Sequence, residues 1–534
     1  MKKLLLFILT VILVAGCTKM TVDTDKISDR VSLKPSFVLA VSGDVNLGDL
    51  IQPGDTILDP RDTILFDETG LMKIFVYQDS LVDISVSDFY SGFPNESFTG
   101  TYGILSTGSE LIEESIEIDP GMDIELKSMK IITGEISYSI SSSCTFPVDF
   151  VLTLNGVYDE TMNPIQQSIP VGANSTASGL VNLDGALADL SLDATQPYNR
   201  IVVSGLVTPG GTGSEPIGSV DLEIIVPEPE YDYITGYFGM QTEGEENDTI
   251  DLDLGEIFAG NSNAFYLANP IMRMHYRNSF GLPIEISTEA RGVIEGEAPV
   301  YLNRAAENLV YPTTTEIREA ESIFVIDKDN SDLPDIISML PDQIIFGGSV
   351  TTNPLGDTGT DNIVFSDSRL IADLEVEIPM EFWMNNLVLA DTIDNFLSPD
   401  EDGESPFDFI DQFELRMFIE NGFPLGGMFS ITLYDSATTT VMSAIETGDF
   451  FDPAPVDANG VVTSPREKST TIALSESFKS DSYVADKMII NFTFNTTEGS
   501  SQPVKLMSDY SIYFRAGLVV RAGFDEYLNN GDDE

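Results

Sequence analysis

The chain offers few side chains from which an enzyme's active site could be built. Its only histidine, His275, would have to be the base of any Ser-His-Asp triad. It stands in RMHYRN (Arg273–Asn278), which alternates like a β-strand, and no nucleophile-elbow motif accompanies it. Because the chain has 87 Asp and Glu residues, carboxylate pairs of the kind that hydrolyse glycosides must occur by composition alone. We therefore expect a protein that is not an enzyme, with a hydrolase as the last of the alternatives.

The carboxylates of one short stretch could bind a calcium ion. The candidate ligands in DKDNSDLPD are Asp327, Asp329 and Asp335. This stretch resembles the Asp-rich calcium loops of extracellular repeats, although Asp332 stands where those loops usually have glycine. The same residues are typical of a helix start, with Asn330 or Ser331 as the N-cap and Asp332 in the first turn. We favour the helix start and expect no bound cofactor, while calcium stays as the open alternative.

Aromatic side chains that could bind a sugar ring or a protein follow two similar strands. One set follows DLEIIVP (Asp221–Pro227) and the other follows DLEVEIP (Asp373–Pro379). The candidate binding aromatics are Tyr231, Tyr233, Tyr237 and Trp383. In an exposed row they would stack on sugars or contact a partner, whereas at buried strand ends they would pack the core. Residue type alone favours core packing, so their exposure decides between the two interpretations.

The segments that would hold these residues recur along the chain. RIVVSGLVTPGGTG returns as QIIFGGSVTTNPLGDTG, with Ile201 and Ile344 143 positions apart. The same shift relates Asn278 and Asn421 in two further similar stretches, and a weaker third copy lies near the C-terminus. Because period, order and spacing agree between the copies, we predict three tandem modules.

The local pattern of the modules indicates their fold class. Most segments alternate with a period of two and are rich in Val, Ile, Thr, Phe and Tyr, and clusters of Gly, Pro, Asn and Asp separate them. This predicts an all-β protein of tandem β-sandwich-like modules, three repeats of roughly 140–150 residues, with short helical turns. The turns are expected in DGALADLSL, near Pro197, and in NSDLPDIISMLP, near Pro341. Gly205 and Gly348 mark positions where a strand bends or another backbone comes close.

Repeats and prolines together divide the chain. We assign residues 1–16 to a lipoprotein signal peptide, 17–35 to a tether, 36–120 to an N-terminal β region, 121–227, 228–379 and 380–526 to β modules 1, 2 and 3, and 527–534 to an acidic tail. The proline-containing stretch PEPEYDY, which begins at Pro227, predicts a stiff junction between modules 1 and 2.

The first residues have the layout of a secretory signal. Lys2 and Lys3 precede an apolar run that ends in VAGC and is too short to span a bilayer. VAGC resembles the bacterial lipobox, which implies that Cys17 is diacylated and that the protein is held at a membrane by its acyl chains. Cys144 is then the only other cysteine, so we expect no disulfide, and with one histidine no zinc site of the usual kind.

The charge of the chain limits its partners. With 26 basic and 87 acidic residues, the formal net charge is −61. Such a surface repels nucleic acid and anionic headgroups, so we expect no nucleic-acid partner. The acidic residues are spread along the chain, which favours a solvated surface over one specific cationic partner.

Two resemblances complete the interpretation. The lipobox, tether, acidic composition and β modules together resemble uncharacterised envelope lipoproteins of Bacteroidota-type bacteria, and Thr18 favours the outer membrane over the inner one. NPIMRMHYRNSFGLPIEI resembles the core of the late-embryogenesis-abundant (WHy-type) sandwich domain, which implies a β-sandwich without an active site. We therefore expect an outer-membrane lipoprotein that binds or scaffolds a protein or a glycan, on a membrane face that stays open. The alternatives are a polysaccharide-binding lipoprotein of a glycan-uptake system and a lipid-carrying β-module protein with an apolar cavity between its sheets.

Overall fold

The computed structural model describes residues 36–522, apart from residues 51–62, 91, 93–94, 105–107, 122, 211–217, 252–264, 295, 297, 303, 340, 342, 395–409, 436–439, 474 and 483–484. Strands make up 63% of the structure and helices 5%, and the strands form antiparallel sheets. The prediction of an all-β protein is therefore confirmed. The predicted signal peptide with Cys17, the predicted tether and the predicted acidic tail lie outside the described residues.

The elements follow one another in chain order. Residues before module 1 form β1 (Ser36–Asn46), α1 (Leu47–Leu50), β2 (Thr63–Phe66), β3 (Met72–Ser85), α2 (Val86–Phe89), β4 (Glu96–Ile104) and β5 (Glu110–Glu117). Module 1 contains β6 (Glu125–Thr133), β7 (Glu135–Ser142), β8 (Val148–Tyr158), β9 (Pro164–Val171), β10 (Thr176–Asn182), β11 (Leu187–Asp189), β12 (Arg200–Pro209) and β13 (Gly218–Val226). Module 2 contains β14 (Glu230–Tyr237), β15 (Thr242–Asp251), β16 (Phe265–Leu267), β17 (Ile271–Asn278), β18 (Ile284–Val293), β19 (Val300–Tyr301), β20 (Glu307–Asn308), β21 (Ala320–Ile326), α3 (Leu333–Ser338), β22 (Gln343–Thr352), β23 (Asn362–Phe365) and β24 (Arg369–Pro379). Module 3 contains β25 (Glu381–Met384), β26 (Leu387–Asp394), β27 (Ile410–Asn421), β28 (Leu425–Asp435), β29 (Thr440–Phe451), β30 (Arg466–Ala473), α4 (Glu476–Ser482), β31 (Lys487–Thr496), a 3₁₀ turn (Gly499–Ser501), β32 (Val504–Lys505) and β33 (Ser511–Ala522).

One sheet of each module accepts a strand from the N-terminal part of the chain, and we call it the thread sheet. Its strand order is β4-β13-β7-β10 in module 1, β2-β3-β24-β17-β21 in module 2 and β1-β33-β27-β30 in module 3. In all three, the last strand of the module lies between an N-terminal strand and the first strand of the central hairpin. The three modules therefore repeat one topology.

The second sheet of each module, the companion sheet, also repeats. Its order is β15-β22-β18-β19 in module 2, with β20 on β18, and β26-β31-β28-β29 in module 3. In module 1 the equivalent strands β5, β12, β8 and β9 belong to an eight-stranded sheet that also contains β11, β6, β14 and β23. Alternate side chains of the two sheets meet in the core, such as Met274 and Leu374 against Ile344 and Phe346 in module 2.

The strands expected to form an N-terminal β region at 36–120 are instead distributed over all three modules. β1 pairs with β33 of module 3, β3 with β24 of module 2 and β4 with β13 of module 1, while β5 pairs with β12. A lone strand cannot satisfy its backbone groups or bury its apolar face, and the last strand of each module offers it an edge. We call the strands β1, β2, β3 and β4 the thread; in chain order they pair with module 3, then module 2, then module 1.

A short strand is shared at each junction between modules. β14 pairs with β6 of module 1 and with β23 of module 2. In the same way β25 pairs with β16 of module 2 and with β32 of module 3. Modules 1 and 2 also share one buried apolar cluster, which includes Ile136 and Leu222 of module 1 and Met274 and Leu374 of module 2. Each junction strand is therefore held by backbone hydrogen bonds to strands of both neighbouring modules, and it does not act as a free linker.

In every module the first strand of the central hairpin ends at a buried polar residue. Asn278 and Asn421 are fully buried, and the side-chain oxygen of each accepts the backbone N–H two residues on, at 2.9 Å. In module 1 the hydroxyl of Ser142 accepts the N–H of Cys144 in the same way, at 3.2 Å. The 143-residue shift between the two asparagines thus reflects one repeated turn.

The two predicted helical turns have different outcomes. The turn in NSDLPDIISMLP is confirmed as α3, with Asp332 as its N-cap rather than Asn330 or Ser331. The turn in DGALADLSL is wrong, because this segment contains β11, which fills the space between β6 and β8 and hydrogen-bonds to both. Tertiary pairing overrides local preference there. No helix in the described part of the chain is long and apolar enough to cross a membrane.

The two glycines of the repeated phrase lie where space is lacking. A Cβ on Gly348, whose φ is 156°, would be 2.1 Å from the carbonyl oxygen of Ser287. A Cβ on Gly205 would be 2.3 Å from the ring of Phe150. Close approach therefore explains glycine at both positions.

Candidate functional site at the junction strands

Trp383 lies on β25, between modules 2 and 3, and its ring stacks on that of Tyr266 of β16. The ring centroids are 5.6 Å apart with an interplanar angle of 17°, and the two residues are direct cross-strand partners. Both side chains are half-buried. On the inner side of the strand Phe382 is fully buried and stacks on Phe265 at 5.4 Å. We call Trp383 and Tyr266 the aromatic pair; it packs the junction and leaves part of its surface to solvent.

Polar groups lie next to the aromatic pair. Asn269 donates a hydrogen bond of 2.6 Å to Glu381, whose cross-strand partner on β32 is Lys505. Rings beside an amide, a carboxylate and an ammonium group can bind a hydroxylated ring or a peptide. Sequence reasoning selected Trp383 but missed Tyr266, because only the pairing of β16 with β25 brings the two together.

The three candidate tyrosines lie on β14, in the other junction. Tyr231 is largely buried, and burial, together with the negative charge of Glu228, raises its pKa to about 12. Tyr233 meets the ring of Phe365 edge-on, with centroids 6.4 Å apart. Burial, followed by nearby carboxylates, also raises the pKa of Tyr237. β14 belongs to the eight-stranded sheet and β25 to a three-stranded one, so these tyrosines and Trp383 lie in different sheets.

The candidate calcium ligands lie in the turn that leads into α3. The carboxylate of Asp327 accepts the backbone N–H of Asp329 at 2.9 Å, and Asp329 itself pairs with Lys328 at 3.1 Å. Asp335 stands in the first turn of the helix. Within the described ranges, no group of three or more His, Cys, Asp or Glu side chains is arranged to hold a metal ion. Local hydrogen bonds account for this geometry, and calcium binding stays a hypothesis.

His275 is half-buried on the outer face of the thread sheet of module 2. Its cross-strand partners are Asp373 on β24 and Ile323 on β21. This is the strand position expected from the sequence. A serine or cysteine nucleophile is not among these partners.

Glu377 is a buried carboxylate on the same face, and two cations neutralise it. Lys73 of the thread lies 2.7 Å from one oxygen, and Arg273 of β17 lies 2.7 Å from the other. Burial alone would raise the pKa of Glu377, but the hydrogen bonds from Lys73 and Arg273 outweigh it and lower the pKa. A carboxylate held in its charged form by two partners serves to tie strands together rather than to donate a proton.

The space between the sheets of module 2 bears on the lipid-carrying alternative. A cavity of about 30 Å³ lies there, lined by Leu81 of the thread and by Tyr276, Phe346 and Gly348. This volume accommodates about one water molecule and is far too small for an acyl chain. The cavity therefore lends no support to lipid carriage.

The similarities of the chain to known proteins are distant. No protein-family model matches it, and no curated protein matches it. Among solved structures, it is similar to a protein from Parabacteroides distasonis that carries the provisional description of a secreted protein, with 14% identity over 54% of this chain and 88% of that one and a TM-score of 0.30. It is also similar to a structure of infectious bursal disease virus, Gx strain, with 9% identity over 83% of this chain and 84% of that one and a TM-score of 0.16. Neither similarity is close enough to assign a function.

Proposed function

We propose that this chain is a lipid-anchored protein of the bacterial outer membrane that binds or scaffolds an envelope partner without catalysing a reaction. The observation that supports this most is the pairing of β1 with β33, which runs without interruption from Ser36 opposite Arg521 to Asn46 opposite Ser511. Because β1 directly follows the proposed tether in the sequence, a tether would reach the folded protein at module 3.

The order of the modules gives an anchored protein a direction. Junction strands join module 3 to module 2 and module 2 to module 1. With Cys17 acylated, module 3 would stand nearest the membrane and module 1 would be presented away from it. Tether residues 17–35 could span up to about 60 Å when extended, enough to hold module 3 clear of the lipid surface. A display role of this kind requires binding surfaces and no catalytic group.

Metabolic labelling with an alkyne-tagged palmitate tests the anchor. We expect the full-length protein to carry the label and to fractionate with the outer membrane, and the variant Cys17→Ser to lose the label and leave the membrane fraction. Label that persists in Cys17→Ser, or none in the unaltered protein, would show that the anchor is wrong. Cys144→Ser is the matched control and should keep the label, since Cys144 is buried in module 1.

A pull-down from detergent-solubilised envelopes tests the scaffolding role. The tagged, acylated full-length protein is the bait, and we expect a stoichiometric envelope protein to be retained. Recovery of the bait alone from cells that express it at its natural level would count against scaffolding.

The second candidate function is polysaccharide binding, which the aromatic pair favours. Trp383 is half-buried with one neighbouring ring stacked on it and polar groups of Asn269 and Glu381 nearby. A glycan array with the variant Trp383→Ala distinguishes this candidate, because binding at the pair would be lost in that variant.

A further inference from the structure

The outer face of the thread sheet of module 1 differs from that of the other two modules. The turn residues Ser142, Asn278 and Asn421 align the three modules. Counted back from them, the outward side chains of β7 are Ser137, Ser139 and Ser141. The equivalent side chains of β17 are Arg273, His275 and Arg277, and those of β27 are Arg416, Phe418 and Glu420. The fold therefore accepts large side chains at these positions, and the small ones of module 1 are a property of its own sequence.

These small side chains form the floor of a groove. Leu180 on β10 and Ile225 on β13 stand opposite Ser137 on either side, and Ser178 and Glu223 stand opposite Ser139 in the same way. Leu180, Ile225 and Glu223 are larger than the serines of β7, and a shallow, open groove of about 380 Å³ runs along that strand between them, with Ser178 as a further small lining residue. Small-ligand sites have volumes of about 300 to 1,000 Å³, so the groove is large enough for one.

Hydrogen-bonding groups in the groove are free, while those beside it are used. In the adjoining row, Ser141 bonds to Thr176 at 2.7 Å and Thr101 donates to Asp221 at 2.7 Å. Among the described residues, the side chains that line the groove form no hydrogen bond with the protein; they are Ser137, Ser139, Ser178 and Glu223. The groove thus offers three hydroxyl groups and one carboxylate to a ligand.

The walls and the charge of the groove restrict the ligand further. Leu180 is 57% exposed and Ile225 is 41% exposed, so two aliphatic side chains face the ligand as well. The sequences of β4, β7, β10 and β13 contain no Lys, Arg or His, whereas Glu135, Asp221 and Glu223 are carboxylates on this face. An anionic ligand would be repelled. A neutral sugar polymer fits best, since its hydroxyl groups donate to Glu223 and exchange hydrogen bonds with serines while its C–H faces pack on the aliphatic walls.

We propose that this groove binds a segment of a neutral oligosaccharide. The inference rests on the binding role proposed above but not on the lipid anchor. It places the site in module 1, the module that the thread reaches last, and away from the aromatic pair, which lies between modules 2 and 3. In an anchored protein the groove would lie in the module farthest along the chain of junction strands from the tether.

Isothermal titration calorimetry of the full-length protein in detergent tests the proposal. The probes are maltohexaose, cellohexaose and mannohexaose, with hexagalacturonate as the anionic comparison. We expect at least one neutral hexasaccharide to bind with a Kd of about 1 mM or tighter and hexagalacturonate not to bind. If none of the three neutral probes binds, the proposal is wrong.

Two variants locate the binding. Ser137→Arg combined with Ser139→His gives module 1 the residues that module 2 carries at these positions, so the fold should tolerate it while the groove is filled; we expect binding to be abolished. Ser139→Ala combined with Ser178→Ala removes two hydroxyl groups without filling the groove and should weaken binding roughly tenfold or more. Thr99→Val on β4, in line with Glu223 but outside the groove, is the control and should bind unchanged.

The variant Trp383→Ala distinguishes the groove from the aromatic pair. Binding that persists in Trp383→Ala and disappears in the arginine–histidine variant supports the groove. The reverse pattern overturns the proposal and assigns the sugar to the junction. In either case we expect the same fraction of each variant in the membrane as for the unaltered protein. A negative result for sugar binding in the groove therefore does not affect the test of the lipid anchor.

Discussion

The ammonium group of Lys73 lies 2.7 Å from a carboxylate oxygen of Glu377, although the thread and the last strand of module 2 are far apart in sequence. The Glu377 side chain is only 8% exposed, and that of Lys73 is 24% exposed. Two further contacts join β3 of the thread to β24. Arg369 forms a bidentate pair with Asp83, and the backbone N–H of Ser80 donates a hydrogen bond to Asp373. Side-chain contacts therefore hold the thread on module 2, in addition to the backbone hydrogen bonds between β3 and β24.

Removal of the Lys73 ammonium group should weaken this attachment. We expect Lys73→Met to lower the free energy of unfolding by about 1.5 to 3 kcal/mol, because a buried carboxylate loses one of its two charged partners. Urea unfolding measures the change. Lys328→Met is the matched control, since Lys328 and Asp329 form an exposed pair, and its effect should stay within about 0.5 kcal/mol. Equal effects of the two substitutions would contradict the assignment.

The pH dependence of the unfolding free energy should reveal the stabilising contribution of the ionised Glu377 side chain. Its pKa in the folded protein is below the ordinary value of 4.5, so its stabilising contribution is complete above about pH 4.5 and is lost as the pH falls through the folded-state pKa. The variant Glu377→Gln cannot make this contribution. We therefore expect the difference in unfolding free energy between the unaltered protein and Glu377→Gln to be largest near pH 7 and to shrink below about pH 4.5. A difference that stays constant between pH 7 and pH 3 would refute this.

The pairing of the first and last described strands can be trapped by a disulfide. Val41 and Ala516 are direct partners in the ladder of β1 and β33, so their Cβ atoms should be about 4.5 to 5.5 Å apart. We predict that Val41→Cys combined with Ala516→Cys forms an intramolecular disulfide on mild oxidation, detected by peptide mapping without reductant. Val41→Cys with Ile512→Cys is the control, because a shift of four residues adds about 13 Å along the strand. Cross-linking only between chains would disprove the register.

The buried asparagine of the hairpin turn should be replaceable by serine but not by alanine. Asn278→Ala leaves the N–H of Phe280 and the carbonyl of Val310 without their partner, and we expect a loss of about 1 to 3 kcal/mol. Asn278→Ser should lose less, since Ser142 satisfies the equivalent N–H in module 1. Thermal or urea unfolding measures the stability of both variants. If Asn278→Ser is no more stable than Asn278→Ala, Ser142 and Asn278 do not play equivalent roles.

Trp383 is the sole tryptophan and reports on the junction between modules 2 and 3. Tyr266→Ala removes the ring stacked on it, so we expect stronger quenching of its fluorescence by acrylamide and a loss of about 0.5 to 1.5 kcal/mol of stability beyond the lost contact area. Tyr301→Ala, at an exposed tyrosine of module 2, is the control and should leave the quenching unchanged. Unchanged quenching in Tyr266→Ala would show that the rings do not stack.

Part of the candidate sites could be read from residue types, and part could not. Trp383 was selected because aromatic residues follow two similar strands, but whether its ring is exposed depends on Tyr266, which reaches it only through the pairing of β16 with β25. The serines of β7 drew no attention in the sequence, because small hydroxyl residues are ordinary on a strand face. They become distinctive only when Arg273 and His275 are found at the equivalent places in module 2.

The sequence by itself determined the fold class and the repetition. Alternation with a period of two is a local property that sets which side chains face the core, and the recurrence of Asn278 as Asn421 marks the same turn in successive modules. Only the tertiary structure decided where the strands of residues 36–104 lie. Any alternating strand can pair with any free edge of similar length, so the choice of β33, β24 and β13 as partners depends on contacts such as Lys73 with Glu377, between residues far apart in the chain.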